Sequence, residues 1–166
     1  MKQAIVECFA ALTEKIEDAR SCFVTNEDAV LGLIEVVGEE PRLPGLQLAA
    51  FDLLRSLGRA KLTKKKILRE KFTEKKINFV QRVSKQLLLC DGEEESSSVA
   101  DMARQMRHMT IRVINNFGID FKQFIFREEV MDKLVEIVSD KQAHTVERRD
   151  ALMTFKNLSF EASDAE

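Results

Sequence analysis

Apolar residues along this chain recur at helical spacing. Ile5, Cys8, Phe9, Leu12 and Ile16 make an i, i+3, i+4, i+7 stripe and predict a first helix over 2–18. Thr25, Asn26, Glu27 and Asp28 read as a start signal, with Thr25 as the cap and an acid three residues later. The helix that follows carries Val30, Leu33, Ile34 and Val37 and stops at Gly38. Both prolines fall in the loop 39–45. A third helix runs from about Leu46 to Leu57, with Gly58 just past its end. Ile67, Leu68 and Phe72 mark a short helix inside 61–76. Thr73 is placed to cap the next, which bears Ile77, Val80, Val83, Leu87 and Leu88. After the acidic, serine-bearing loop 91–97, Ser98 and Asp101 form a capping box. They open a long helix with Met102, Met106, Met109, Val113 and Phe117, closed by Gly118. A short element at 121–127, a helix at 128–139 and a last helix at about 145–161 complete the chain.

The pattern also repeats on a larger scale. LIEVV at 33–37 returns as LVEIV at 134–138. With the same register, 46–57 falls opposite 147–158. FVQRV at 79–83 and INNF at 114–117 place the middle of the chain on the same template, with the acidic loop as an insertion. Three units follow, roughly 20–60, 62–119 and 122–162, each a short, a medium and a longer helix. The helix 2–18 stands before them as the last helix of an incomplete unit, or a cap. A repeat unit of this kind buries its apolar face only against neighbours. The expectation is one continuous array over 1–166.

Composition supports a helical protein. Two Pro and six Gly leave little turn material for an all-β fold, and 33% of residues are charged. The net charge of -2 gives no global case for nucleic acid. There is no apolar run of about eighteen residues to span a bilayer. The N-terminus, with Glu7 early in a short apolar run, does not read as a signal peptide. Cys8, Cys22 and Cys90 lie among apolar residues and far apart. They read as buried thiols in a reducing compartment, which points to the cytoplasm, with the nucleus also compatible.

A unit of short, medium and long helices resembles the armadillo/HEAT class, so the fold expected is an all-α superhelix of about three repeats. The most specific likeness is residues 151–158, ALMTFKNL, which is similar to the armadillo third helix, A-L-W-A-L-x-N-L. Asn157 stands in the family's Asn position. Asn116 occupies it one unit earlier and Ser56 in the first unit. The family's Trp, four residues before, is replaced by Met153, Arg112 and Asp52. Its inter-helix glycine pair is replaced by Asn26-Glu27, Thr73-Glu74 and Arg127-Glu128. In the family these Asn residues hold the backbone of an extended peptide along a concave groove. An amide suits that role because it offers both a donor and an acceptor.

The resemblance implies a non-enzymatic protein-binding scaffold without cofactors or a small-molecule substrate. Its groove would be lined by Asp52, Arg55 and Ser56, then Arg112, Asn115 and Asn116, then Arg149, Met153, Lys156 and Asn157. The basic members favour an acidic or phosphorylated peptide. A second reading is an adaptor whose basic run (Lys61, Lys64, Lys65, Lys66, Arg69, Lys71, Lys75, Lys76) contacts an acidic protein tail, nucleic acid or anionic lipid. Phe72 and Phe79 fall on the apolar stripe there, not at stacking positions. A third is self-association through the C-terminal helices.

Other chemistry is thinner. His108 and His144 have no metal-ligand spacing with each other or the cysteines and read as surface or cap residues. Met102, Met106 and Met109 read as core. Ser96–Ser98 beside acids read as a helix cap rather than a phosphorylation site. No nucleophile elbow or phosphate-binding loop occurs.

Overall fold

A computed structural model describes residues 2–38, 44–75, 79–89, 97–125 and 128–160, and all regular structure among them is helical. The helices are α1 (Lys2–Lys15), α2 (Glu17–Thr25), α3 (Glu27–Gly38), α4 (Pro44–Leu57), α5 (Leu62–Glu74), α6 (Phe79–Leu89), α7 (Ser97–Ile125), α8 (Glu128–Ser139) and α9 (Thr145–Phe160). The chain divides into two compact units, Met1–Arg82 and Val83–Glu166, with the boundary inside α6.

In the first unit the expected helix over 2–18 is two helices. Ile16 adopts an extended backbone conformation that breaks it. No glycine or proline marks the break. It is held instead by Arg20, whose guanidinium donates to the carbonyl of Thr13 at 2.7 Å and so satisfies an end group of α1. The next cap also differs from the sequence reading. Asn26, not Thr25, accepts from a backbone amide, that of Ala29 at 2.9 Å. The Thr25 hydroxyl turns back to donate to the carbonyls of Ser21 and Cys22, within the last turn of α2. Pro44 starts α4 two residues earlier than Leu46, as suits a residue whose missing N–H costs nothing in a first turn. Thr73 lies inside α5 rather than capping α6.

The core of this unit is Val30, Leu33, Ile34 and Val37 of α3 with Phe51, Leu53, Leu54 and Leu57 of α4 and Leu68 and Phe72 of α5. Helix α1 packs on α4 through small residues. Ala10, Thr13 and Ser56 are all buried, and the Thr13 and Ser56 hydroxyls hydrogen-bond to each other. The two helices run in the same direction. Near their starts, a Cβ added at Gly45 would meet Gln3 Oε1 at 2.8 Å, and near their ends Arg59 donates to Glu14 at 2.6 Å.

This close approach leaves the apolar stripe of α1 on the outside. Ile5, Phe9, Leu12 and Ile16 are 40–49% exposed, and Cys8 is exposed with them. Large side chains would hold the backbones apart, so the small face turns inward and the large one outward. Cys22 is also exposed, and so neither described cysteine is a buried thiol. Cys90 lies outside the described residues, as does most of the acidic loop.

In the second unit α9 packs against both α7 and α8. The core comprises Met106, Ile111, Val113, Ile114 and Phe117 of α7, Val130, Leu134 and Ile137 of α8, and Ala151 and Leu158 of α9. Met102 and Met109 are half-buried. Helix α7 does not close at Gly118 but runs on to Ile125, taking in most of the expected short element at 121–127. A lone interior glycine costs a helix only about 1 kcal/mol, and no proline follows to enforce a stop.

Candidate functional site

The predicted binding residues of the second unit come together along α7 and α9. These helices carry a ladder of polar contacts. Arg107 grips Glu147 with two hydrogen bonds, 2.5 and 3.1 Å. Asp150 is the centre of the next rung. It receives His108 Nε2 at 2.9 Å, Arg112 at 3.1 Å and Arg149 at 2.9 Å. Thr154 is buried and donates to the carbonyl of Asp150 at 2.8 Å. Asn157 Nδ2 then donates to Asn115 Oδ1 at 2.8 Å.

Burial pushes the Asp150 carboxyl up, but the hydrogen bonds from His108 and Arg149 and the charge of Arg112 outweigh it and hold the group below its ordinary value. Asp150 and His108 were not picked out from sequence as site residues, and His108 is not a simple surface residue. The readable signal was that Glu147 and Asp150 are three apart on one helix face, but nothing local says that α7 supplies the cations. His144, in contrast, does cap α9. Its Nδ1 accepts from the amide of Val146 at 3.3 Å.

Arg112 and Arg149 are therefore partly committed to Asp150. Arg149 remains 62% exposed in its side chain and Arg112 33%. Asn115, Asn116 and Asn157 are half-buried, and Met153 and Lys156 are exposed.

The first unit treats its predicted residues differently. Arg55 is buried between Glu14 at 2.9 Å and Asp52 at 2.8 Å. Ser56 has no solvent-facing surface and sits against Thr13. Helix α1 covers this stripe. Burial raises the Glu14 carboxyl, but Arg55 and Arg59 outweigh it and bring it below its ordinary value. Arg55 loses stability as a cation through burial, yet hydrogen bonds from its nitrogens to Asp52 and Glu14 raise its pKa overall.

The basic run lies on and around α5 and is partly matched by acids of α5 itself and of neighbouring helices. Lys71 pairs with Glu27 at 3.2 Å and Glu74 at 3.1 Å, and Lys61 lies 3.6 Å from Glu17. Lys66 and Lys75 are exposed, and Lys64 and Lys65 half-exposed. The side chain of Arg69 and all of Lys76 lie outside the described residues.

Among the described residues no group of His, Cys, Asp and Glu could hold a metal ion, and no helix is long and apolar enough to cross a membrane. A scan against protein-family models, a search of curated proteins and a search of solved structures each found no match to this chain.

Proposed function

We propose that the chain is a non-enzymatic scaffold of armadillo-like or HEAT-like repeats that holds an acidic peptide of a partner protein along α7 and α9 of its second unit. The observation that carries this reading is the half-buried Asn115–Asn157 pair, flanked by Arg112, Arg149 and Lys156. Amides there meet a peptide backbone, and the cations select acidic side chains.

The spacing of contacts supports a repeat array. In the first unit Thr13 meets Ser56, Glu27 meets Lys71 and Val37 meets Arg82, at separations of 43, 44 and 45 residues. In the second, Arg107 meets Glu147 and Asn115 meets Asn157, at 40 and 42. A constant separation of about one repeat is what stacked units produce, since each touches only its neighbour. On this reading α1, α4, α7 and α9 are all third helices. Thr13–Ser56 and Asn115–Asn157 are then equivalent rungs, the first covered and the second open.

The test is a peptide array of random, acidic, phosphorylated and basic sequences probed with the purified chain. Acidic peptides are expected to bind, and the double variant Asn116→Ala, Asn157→Ala to lose that binding while keeping its helical circular dichroism. Equal retention of acidic and basic peptides would overturn the reading. So would unchanged binding by the double variant. If charge reversal at Lys64, Lys65 and Lys66 is instead the damaging change, the basic run is the contact surface.

A further inference from the structure

Exposed apolar surface among the described residues gathers on two faces of opposite electrostatic character. The first is in the N-terminal unit. Beside the exposed Ile5 and Phe9 of α1 lies an open apolar groove of about 310 Å³ between α1 and α3. Gly32 and Leu33 line it, and its two carboxylates, Asp28 and Glu35, are both exposed. Lys2 is the single base among its lining residues. The volume is at the small end of ligand pockets, which run to roughly 300–1,000 Å³. It suits side chains projecting from a helix rather than a whole helix.

The second face is on α9. Leu152 is 54% and Met153 45% exposed. Arg149 and Lys156 stand one turn before and after them, so the four residues form an i, i+3, i+4, i+7 stripe with an apolar centre and cationic ends. The other exposed large apolar residue among the described residues of this unit, Val135 on α8, is flanked by the exposed acids Asp132 and Glu136.

We propose that the Arg149–Leu152–Met153–Lys156 face of one molecule docks in the α1–α3 groove of a second copy. Charge selects this pairing. The cations of α9 complement Asp28 and Glu35 at the groove, whereas the acids around Val135 would repel them. Leu152 and Met153 supply the apolar surface to be buried, and the unbranched Met adapts to an irregular groove. The donor and receiver faces are different, so the contact is head-to-tail. Each molecule keeps one face open for the next, and assembly continues unless a ring closes. The stripe shares Arg149, Met153 and Lys156 with the proposed peptide site, whereas Leu152, Phe9 and Glu35 belong to the docking contact alone, so variants at those three test it separately.

Sedimentation velocity on the full chain tests it. The average mass is expected to rise with concentration and to fall several-fold in association constant on adding salt. Phe9→Glu (dead groove) and Leu152→Glu (dead stripe) are each expected to stay monomeric. Their equal mixture should form a dimer and grow no further, because only one intact groove and one intact stripe can meet. Phe9 stacks edge-on against Phe23 with ring centroids 5.4 Å apart, so its variant could misfold. Glu35→Lys, at an exposed rim position, is the second groove variant and should also weaken association. A wild-type chain monomeric at all concentrations would overturn the proposal. So would variants that still self-associate, or a mixture that stays monomeric.

Discussion

Asn157 reaches across from α9 to donate its side-chain amide to Asn115 of α7, 2.8 Å away and 42 residues earlier in the chain. The bond is half-buried, so its net value is modest, about 1 kcal/mol. Asn157→Ala should therefore lower the melting temperature by only a few degrees. Under the peptide-binding reading it should weaken peptide affinity about tenfold or more. Thermal melts and fluorescence anisotropy on the same sample separate the two effects.

Asp150 and Glu14 give the fold an acid-sensitive component. Both carboxyls lie below their ordinary values in the folded chain. A carboxyl with a lower value folded than unfolded contributes stability that is complete above the unfolded value, about pH 4. That contribution is lost as pH falls through the folded value. Urea midpoints measured from neutral pH downward should drop for the wild type across that window, and less steeply for Asp150→Asn and for Glu14→Gln.

The start of α3 distinguishes two neighbouring residues. Asn26→Ala removes the cap on the Ala29 amide and should cost about 1 kcal/mol. Thr25→Ala removes only a hydroxyl that donates back into its own helix, and should change stability by a few tenths of that. Chemical denaturation of both variants checks the order.

Gly32 sits inside α3 with nothing within 4 Å of the place a Cβ would occupy. Gly32→Ala is expected to stabilise by roughly 0.5–1 kcal/mol, through reduced freedom of the unfolded chain. A lower melting temperature would contradict the open geometry at that position.

Ser56 is fully buried against α1. Ser56→Ala should cost little, because the Thr13 hydroxyl keeps its bond to the Phe9 carbonyl at 2.8 Å. Ser56→Leu should cost about 1–3 kcal/mol by overpacking and loosen α1. Faster hydrogen exchange confined to α1 would be its signature.

Helicity was legible from sequence because it is local. The 3.6-residue period placed α3, α4, α8 and α9 to within about two residues. The spacing between LIEVV and LVEIV suggested which helices correspond. The break at Ile16 and the continuation through Gly118 were not legible. The first is held by an Arg20 side chain from the next helix, and the second needs the absence of a stop signal rather than the presence of one.

The candidate site divides in the same way. Sequence chose Arg112, Asn115, Arg149 and Asn157, and the structure brings all four onto adjoining helices of one unit. It also chose Arg55 and Ser56, which α1 covers. Amphipathic period determined which residues could share a face on each helix. Only the tertiary structure decided which face turned inward, because that depends on how closely two backbones can approach. On α1 the answer went against hydrophobicity: Ala10 and Thr13 pack against α4, and Ile5, Phe9, Leu12 and Ile16 face outward. Side-chain size at a contact between distant segments set that outcome, and no local pattern records it.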